Sequence, residues 1–271
     1  MCFMVTYNSV AGVGHPVMST ELRHDSPAVR EVAPGVHRFG ADNVNWYVVE
    51  ERGRLTVVDA GLPAHWDQLT GGLDALGRGL GDIDALVLTH GHADHVGFAE
   101  RLRQAGATVW AHDAARPRLD SGGGSPPRDL ITNVWRPAVA RYFFDAVRAG
   151  ATSIEPVGPT SSLVDGETLD VPGSPEVVHV PGHSPGHCAL VLPDRDVVLV
   201  GDALATTDMR TFRRSPPRLP LVNENADRAL ASLSRLEPLD SLGDVTLLPG
   251  HGEPWSGTVG MAVRSARSLA R

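Results

Sequence analysis

The sequence predicts an α/β protein in which two β-sheets pack face to face with helices on the outside. Three observations predict it. Short apolar, β-rich runs fall in two groups, one between Gly35 and Ala111 and one between Leu169 and Leu248. Helical patterns, with apolar residues at three- and four-residue spacing, interrupt both groups. Many strands join by turns too short for the crossovers of a doubly wound parallel sheet, so antiparallel pairing must be common. A chain of 271 residues is long enough to bury a full core.

Taken in order, Gly35 to Phe39, Asn45 to Glu50 and Leu55 to Asp59 read as an antiparallel meander, punctuated by turns at Gly40 to Asn43 and Glu51 to Gly53. From Pro63 to Leu80, Trp66, Leu69, Leu73 and Leu76 mark one helix face despite Gly71 and Gly72. A strand at Ala85 to Thr89, a helix near Val96 to Gln104 and a strand at Thr108 to Ala111 follow. Ser121 to Pro127, SGGGSPP, is the clearest linker-like segment. Leu130 to Ala149 reads as a helix carrying Trp135, Tyr142, Phe143 and Phe144. Strands are then expected at Leu169 to Val171, Glu176 to Val180, Cys188 to Leu192, Val197 to Val200 and Val245 to Leu248, with a helix from Asn225 to Leu236.

Composition excludes several classes. The hydrophobic fraction of 42% and charged fraction of 21% are ordinary for globular proteins. The formal net charge of -8 disfavours a general affinity for nucleic acid, which needs clustered positive charge. Cys2 and Cys188 give no disulfide framework and suit a reducing cytosol. There is no lysine, a compositional bias without mechanistic weight. No run reaches the roughly 18 to 20 apolar residues of a membrane span. The first seventeen residues lack the basic start and apolar run of a secretory signal. The expectation is therefore a cytoplasmic protein with residues 1–27 as a disordered extension and 28–271 as a single domain.

The most informative segment is LTHGHADHVG, where a strand ends in His90, Gly91, His92, Ala93, Asp94 and His95. Imidazole nitrogen and carboxylate oxygen are ligands zinc accepts, and the small residues between them let the backbone turn tightly. Without a metal, four adjacent titratable groups would leave repelling or unsatisfied polar atoms at the mouth of an apolar strand. Three later strand ends each deliver one more candidate: His183 in VVHVPGHSPGH, Asp202 in VVLVGDAL and His251 in VTLLPGHGEP. Each follows an apolar run and a glycine-containing turn, which places all three on one rim of the sheets.

Together, HGHADH, GHSPGH, GDAL and PGHGEP resemble the metallo-β-lactamase fold superfamily from about Val36 to His251. The resemblance implies an αββα sandwich of two mixed sheets with the site at its edge. It implies that His90, His92 and His183 hold one metal, that Asp94, His95 and His251 hold the other, and that Asp202 bridges them. Two zinc ions per chain are expected, with manganese(II) or iron(II) as alternatives. The bridging aspartate and the lack of a secretory signal make the chain similar to the glyoxalase II, lactonase and thioesterase branch. The basic tRNA-binding arm of RNA-processing relatives is not found. Asp59 in LTVVDAGLP matches the aspartate that supports a ligand histidine in relatives, the alternative being a turn cap before Gly61. His187 reads as structural, and His37, His65, His112 and His179 as ordinary histidines.

The reaction expected is hydrolysis, with a metal-bridging hydroxide attacking the carbonyl of a small ester, thioester or lactone. Asp94 is the candidate catalytic residue, handling protons after attack. The alternative is an iron-dependent oxygenase of the persulfide dioxygenase type on the same fold. The expected partner is a small acyl substrate, with no nucleic acid or membrane, and a homodimer is compatible with the sequence. Trp135, Tyr142, Phe143 and Phe144 would either wall the pocket or pack a helix on the core. Arg210, Arg213, Arg214 and Arg218 would either attract an anionic acyl donor or form a solvated loop.

Overall fold

The run VNWYVVEE, Val44–Glu51, shows how one strand builds two layers of core. Successive side chains of a strand point to opposite faces. Val44, Trp46 and Val48 accordingly join a cluster with Leu69, Leu73, Phe98 and Leu102. Tyr47 and Val49 join another with Leu190, Leu199 and Leu248. The second half of the chain repeats the logic: Leu190 and Leu199 face that shared cluster, while Val191, Val198 and Val200 face a third one with Leu233, Val259 and Val263. The layers are thus helix, sheet, sheet, helix, the αββα sandwich expected.

This computed structural model describes residues 29–41, 43–124 and 128–270. The extension assigned to residues 1–27 lies outside them, as do residues 125–127 of the linker-like segment. The first sheet has seven strands in chain order: β1 (Val29–Ala33), β2 (Val36–Ala41), β3 (Val44–Glu51), β4 (Arg54–Val58), β5 (Ile83–Val87), β6 (Thr108–Ala111) and β7 (Ser161–Ser162). Pairing is antiparallel from β1 to β4 and parallel from β4 to β7. The remaining strands are β8 (Glu176–His179), β9 (Cys188–Leu192), β10 (Val197–Gly201), β11 (Ala205–Asp208), β12 (Arg213–Arg218), β13 (Asp244–Pro249) and β14 (Trp255–Thr258). Five of them form a second mixed sheet in the order β14-β13-β10-β9-β8, and β11 pairs with β12 as a separate hairpin.

The helices differ from the sequence expectation in instructive ways. The one predicted over Pro63 to Leu80 is a 3-10 turn at Pro63–His65 followed by α1 (Trp66–Ala75). It stops because Gly77 takes φ 67°, and the amides of Gly77 and Arg78 donate back to the carbonyls of Asp74 and Leu73 at 3.0 and 2.9 Å. That is a Schellman ending. Gly72 is tolerated in α1 because it lies against β2: a Cβ there would meet Phe39 at 2.3 Å. The helix near Val96 to Gln104 is two, α2 (Ala93–Val96) and α3 (Ala99–Gln104).

After α4 (Arg116–Leu119), the long helix predicted over Leu130 to Ala149 divides into α5 (Arg128–Asn133) and α6 (Pro137–Arg148). Pro137 opens α6, and the residue before a proline is held extended, as Arg136 is at ψ 125°. Near the C-terminus, α7 (Ala226–Ser232) begins at Asn225, whose side-chain oxygen accepts the Arg228 amide at 2.9 Å. Leu169 to Val171 is not a strand, since only Thr168 bridges to Glu176. The predicted elements omitted α8 (Val259–Leu269), although Val259, Ala262, Val263 and Ala266 carry a legible helical spacing. The strands β1, β7, β11, β12 and β14 were also omitted. β12 reads RRSPPR, a composition with no strand signal.

The two sheets are bonded to each other beside the site. The Asn45 side-chain amide donates to the carbonyls of Pro249 and Gly252 at 2.9 and 2.7 Å, and the Tyr47 hydroxyl donates to Pro249 O at 2.7 Å. These bonds fix the turn after β13 against β3.

Candidate metal centre

Every candidate ligand lies just past the C-terminal end of a strand. Asp59 follows β4, His90 to His95 follow β5, His183 follows β8, Asp202 follows β10 and His251 follows β13. All seven predicted ligands are brought together on one edge of the sandwich. Gly250 makes part of this approach, because a Cβ there would lie 2.1 Å from Asp202 Oδ1.

Two groups of ligand atoms form. In the first, His183 Nε2 lies 3.1 Å from His90 Nε2 and 2.8 Å from His92 Nδ1. The three rings are nearly perpendicular in pairs, at 89°, 86° and 80°, so their nitrogens converge from different directions. In the second, Asp94 Oδ2 lies 3.8 Å from His95 Nε2 and 3.4 Å from His251 Nε2. Asp202 stands between the groups: its Oδ2 is 3.4 Å from His183 Nε2 and 3.2 Å from His251 Nε2, and its Oδ1 is 3.7 Å from His95 Nε2.

These residues fit a pair of cations on the geometry alone. His95 Nε2 and Asp202 Oδ1 are buried and have no hydrogen-bond partner. Unpartnered buried polar atoms are costly, and here two of them stand 3.7 Å apart, an arrangement a cation held by both relieves.

The outer nitrogens of His90, His95, His183 and His251 are held by named partners. His95 Nδ1 donates to Asp59 Oδ2 at 2.9 Å, His183 Nδ1 to Val222 O at 2.9 Å, and His251 Nδ1 to Asn43 O. His90 Nδ1 donates to the Thr89 hydroxyl at 3.0 Å, which itself donates to Asp59 Oδ2 at 2.8 Å. Asp59 therefore braces one histidine of each group, and it also accepts the Thr89 amide at 2.8 Å. Asp59, His90 and His95 could also be grouped around an ion. With its oxygens committed to those three donors, Asp59 is a support. His92 Nε2 faces Glu224 Oε1 at 3.9 Å, and that carboxylate is clamped by Arg118 at 2.8 Å. His187 is structural, as expected: its Nε2 accepts the Asp202 amide at 2.9 Å, and burial beside His183 lowers its pKa to about 3.

Charge divides the groups. Burial, reinforced by neighbouring histidines, pushes His90 and His92 well below the usual imidazole range, and burial lowers His183. Burial also opposes charge on His95 and His251, but carboxylates override it. Asp94, Asp59 and Asp202 raise His95 to about 10, and Asp202 and Asp94 raise His251. Asp94 and Asp202 remain depressed against burial because these histidines face them.

A cavity of about 330 Å³ opens over His92, Asp94, His183, Asp202 and His251. Of the four aromatic residues proposed for its wall, Tyr142 and Phe143 line it. Trp135 and Phe144 do not: they are 71% and 59% exposed, with Arg136 and Arg148 over their rings. The break at Pro137 turns Trp135 outward. The Tyr142 hydroxyl donates to Asp94 Oδ2 at 2.7 Å, a contact across 48 positions that no local pattern announces. Thr89 and Glu224 were likewise missed, Thr89 despite standing next to His90. Gly122 to Gly124 are not a linker but part of the cavity wall, with the Gly123 amide bonded to Arg118 O at 2.8 Å.

The arginine stretch splits. Arg218 pairs with Asp208 at 3.0 Å and Arg210 approaches it at 3.9 Å, while Arg213 and Arg214 are exposed. None of the four lines the cavity. His112 and His179 stack 4.1 Å apart away from both groups, His65 stacks on Trp46 at 4.9 Å, and His37 lies 3.8 Å from Glu50.

Comparison with known proteins agrees with the geometry. Residues 39–251 match the family profile of the metallo-beta-lactamase superfamily. The probable metallo-hydrolase YflN of Bacillus subtilis is 26% identical over 84% of this chain and 87% of its own length. The hydroxyacylglutathione hydrolase GloC of Haemophilus influenzae is 29% identical over 68% of this chain and 74% of its own. Among solved structures, the metallo-beta-lactamase family protein TTHA1429 of Thermus thermophilus is 25% identical, with TM-score 0.64, covering 89% of this chain and 81% of that one. TTHA1623, solved in a di-iron-bound form, is 28% identical with TM-score 0.58, covering 86% of this chain and 98% of that one.

Proposed function

The chain belongs to the metallo-beta-lactamase superfamily, and from that premise we propose that it is a hydrolase holding two divalent metal ions and cleaving a small ester, thioester or lactone. One observation carries the reading: two convergent groups of ligand atoms share one carboxylate, Asp202, within 3.4 Å of the first and 3.2 Å of the second. His90, His92 and His183 would hold one ion, Asp94, His95 and His251 the other, and Asp202 would bridge. When bound, such a pair supplies an activated water and Lewis acidity toward a carbonyl oxygen.

The protein's own groups do the rest. Asp59 and Thr89 keep His90 and His95 turned inward, so the ligand nitrogens are positioned before any ion arrives. Tyr142 fixes one oxygen of Asp94, leaving the other free to accept and return a proton as the carbonyl is attacked. The cavity wall sheds water from the acyl group and holds it over the rim. Zinc is the metal proposed. Iron is the alternative, supported by the di-iron-bound relative. No helix among the described residues is long and apolar enough to cross a membrane. A cytoplasmic location, residues 28–271 as a single domain, and small-molecule substrates belong to the same reading.

Elemental analysis of the purified protein should find about two metal equivalents per chain. Chelation should abolish hydrolysis across a panel of esters, thioesters and lactones, and zinc or manganese should restore it. One equivalent with full activity would refute the dinuclear reading.

A further inference from the structure

The cavity above the metal rim has a wall of one chemical character. Leu62, Leu130, Phe143, Val147, Ile154 and Met209 supply most of it, and away from the rim its hydroxyl side chains are those of Ser121, Thr152 and Tyr142. Tyr142 already donates to Asp94. The chain has 24 arginines and no lysine, yet among the described residues no arginine lines this cavity. Arg118, which passes behind Gly124, is committed to Glu224 at 2.8 and 2.9 Å. Arg218 is likewise committed to Asp208 at 3.0 Å.

A carboxylate or phosphate carried against this wall, away from the rim, would lose water and find no counter-ion there, and a buried charge without a partner is strongly disfavoured. Among the described residues, the charged or ionisable groups lining the cavity, besides the Tyr142 hydroxyl, are Asp94, Asp202 and the rim histidines that the metals would claim. An alkyl chain meets the opposite situation, because every methylene placed against the wall leaves water. At about 330 Å³ the space lies near the lower end of small-molecule sites, which run from about 300 to 1,000 Å³.

We infer that the acyl group accepted here is an uncharged, apolar chain of medium length, and that acyl groups ending in an anion are rejected by the wall. This rests on the hydrolase reading above and names the substrate class of that same site.

The metal-loaded protein is assayed with the p-nitrophenyl ester of hexanoic acid and with the mono-p-nitrophenyl ester of adipic acid, which has the same length and a terminal carboxylate. The expected result is a kcat/KM ratio on the order of 100-fold in favour of hexanoate. Calorimetry with hexanamide and adipamic acid reads the same preference without hydrolysis. Val147→Arg, at a position 39% exposed and so able to carry the longer side chain, should narrow both preferences by about tenfold or more, with metal content and melting temperature unchanged. Equal handling of the two esters, or a ratio that Val147→Arg leaves alone, overturns the inference while leaving the hydrolase reading intact. If neither ester is cleaved, nor any thioester or lactone of the panel, but hexanamide still binds better than adipamic acid, the hydrolase reading fails and the preference of the wall stands.

Discussion

The two halves of the metal centre are built from nearly the same residue types and behave oppositely. His90, His92 and His183 are buried against one another, and two of their outer nitrogens rest on neutral partners, the Thr89 hydroxyl and the Val222 carbonyl. His95 and His251 are equally buried but face Asp94 and Asp202, with Asp59 behind His95. Burial and neighbouring histidines therefore hold the first group's imidazoles low, whereas the carboxylates facing the second group raise its two histidines. Burial alone does not set the protonation of a histidine. The carboxylates in reach decide it.

Five substitutions break or sharpen this contrast. The largest effect is expected from Asp202→Ala, which removes the carboxylate that lies within 3.4 Å of His183 in one group and 3.2 Å of His251 in the other. Metal content should fall from about two equivalents to below one. His187→Ala should do less, loosening Asp202 by freeing its amide, so that metal affinity drops without loss of both ions. Equal metal loss in the two variants would make His187 more than a support for Asp202.

Asp59→Asn comes next. Asp59 has φ 64°, a conformation asparagine also adopts readily, so the substitution removes charge without adding backbone strain. Metal affinity should weaken by about 10- to 100-fold, most at the His95 group, because Asp59 touches His95 directly and His90 only through Thr89. Stepwise metal titration followed by mass spectrometry checks which ion is lost first; loss of the His90-group ion first would reverse the assignment.

The smallest effects distinguish two aromatic residues. Tyr142→Phe removes a hydrogen bond to a charged group and should cost about 1.5 to 3 kcal/mol of local stabilisation, read as a weaker second metal and a lower melting temperature. Trp135→Ala should leave metal content, KM and acyl preference unchanged, since its ring stands in solvent under Arg136. A change in acyl preference on losing Trp135 would put it back over the cavity.

What the sequence by itself determined was whatever depends on near neighbours. The short apolar runs specified β3, β9 and β10 because a strand with core on both faces needs apolar residues at nearly every position. The HGHADH segment pointed to a candidate metal rim because four possible ligands in six residues are costly to pack together without a cation. Even the distant ligands His183, Asp202 and His251 were legible, since each follows an apolar strand and a glycine turn. Tertiary structure decided everything that depends on who stands opposite. It set carboxylates beside His95 and histidines around His90, gave Asp59 both groups to brace, joined Tyr142 to Asp94, and turned Trp135 outward at Pro137. It also made a cavity wall of a glycine segment that composition reads as a linker. The physical reason is range: strand and turn preferences act over a few residues, whereas burial and the charges that oppose it are fixed only when segments dozens of residues apart are packed together.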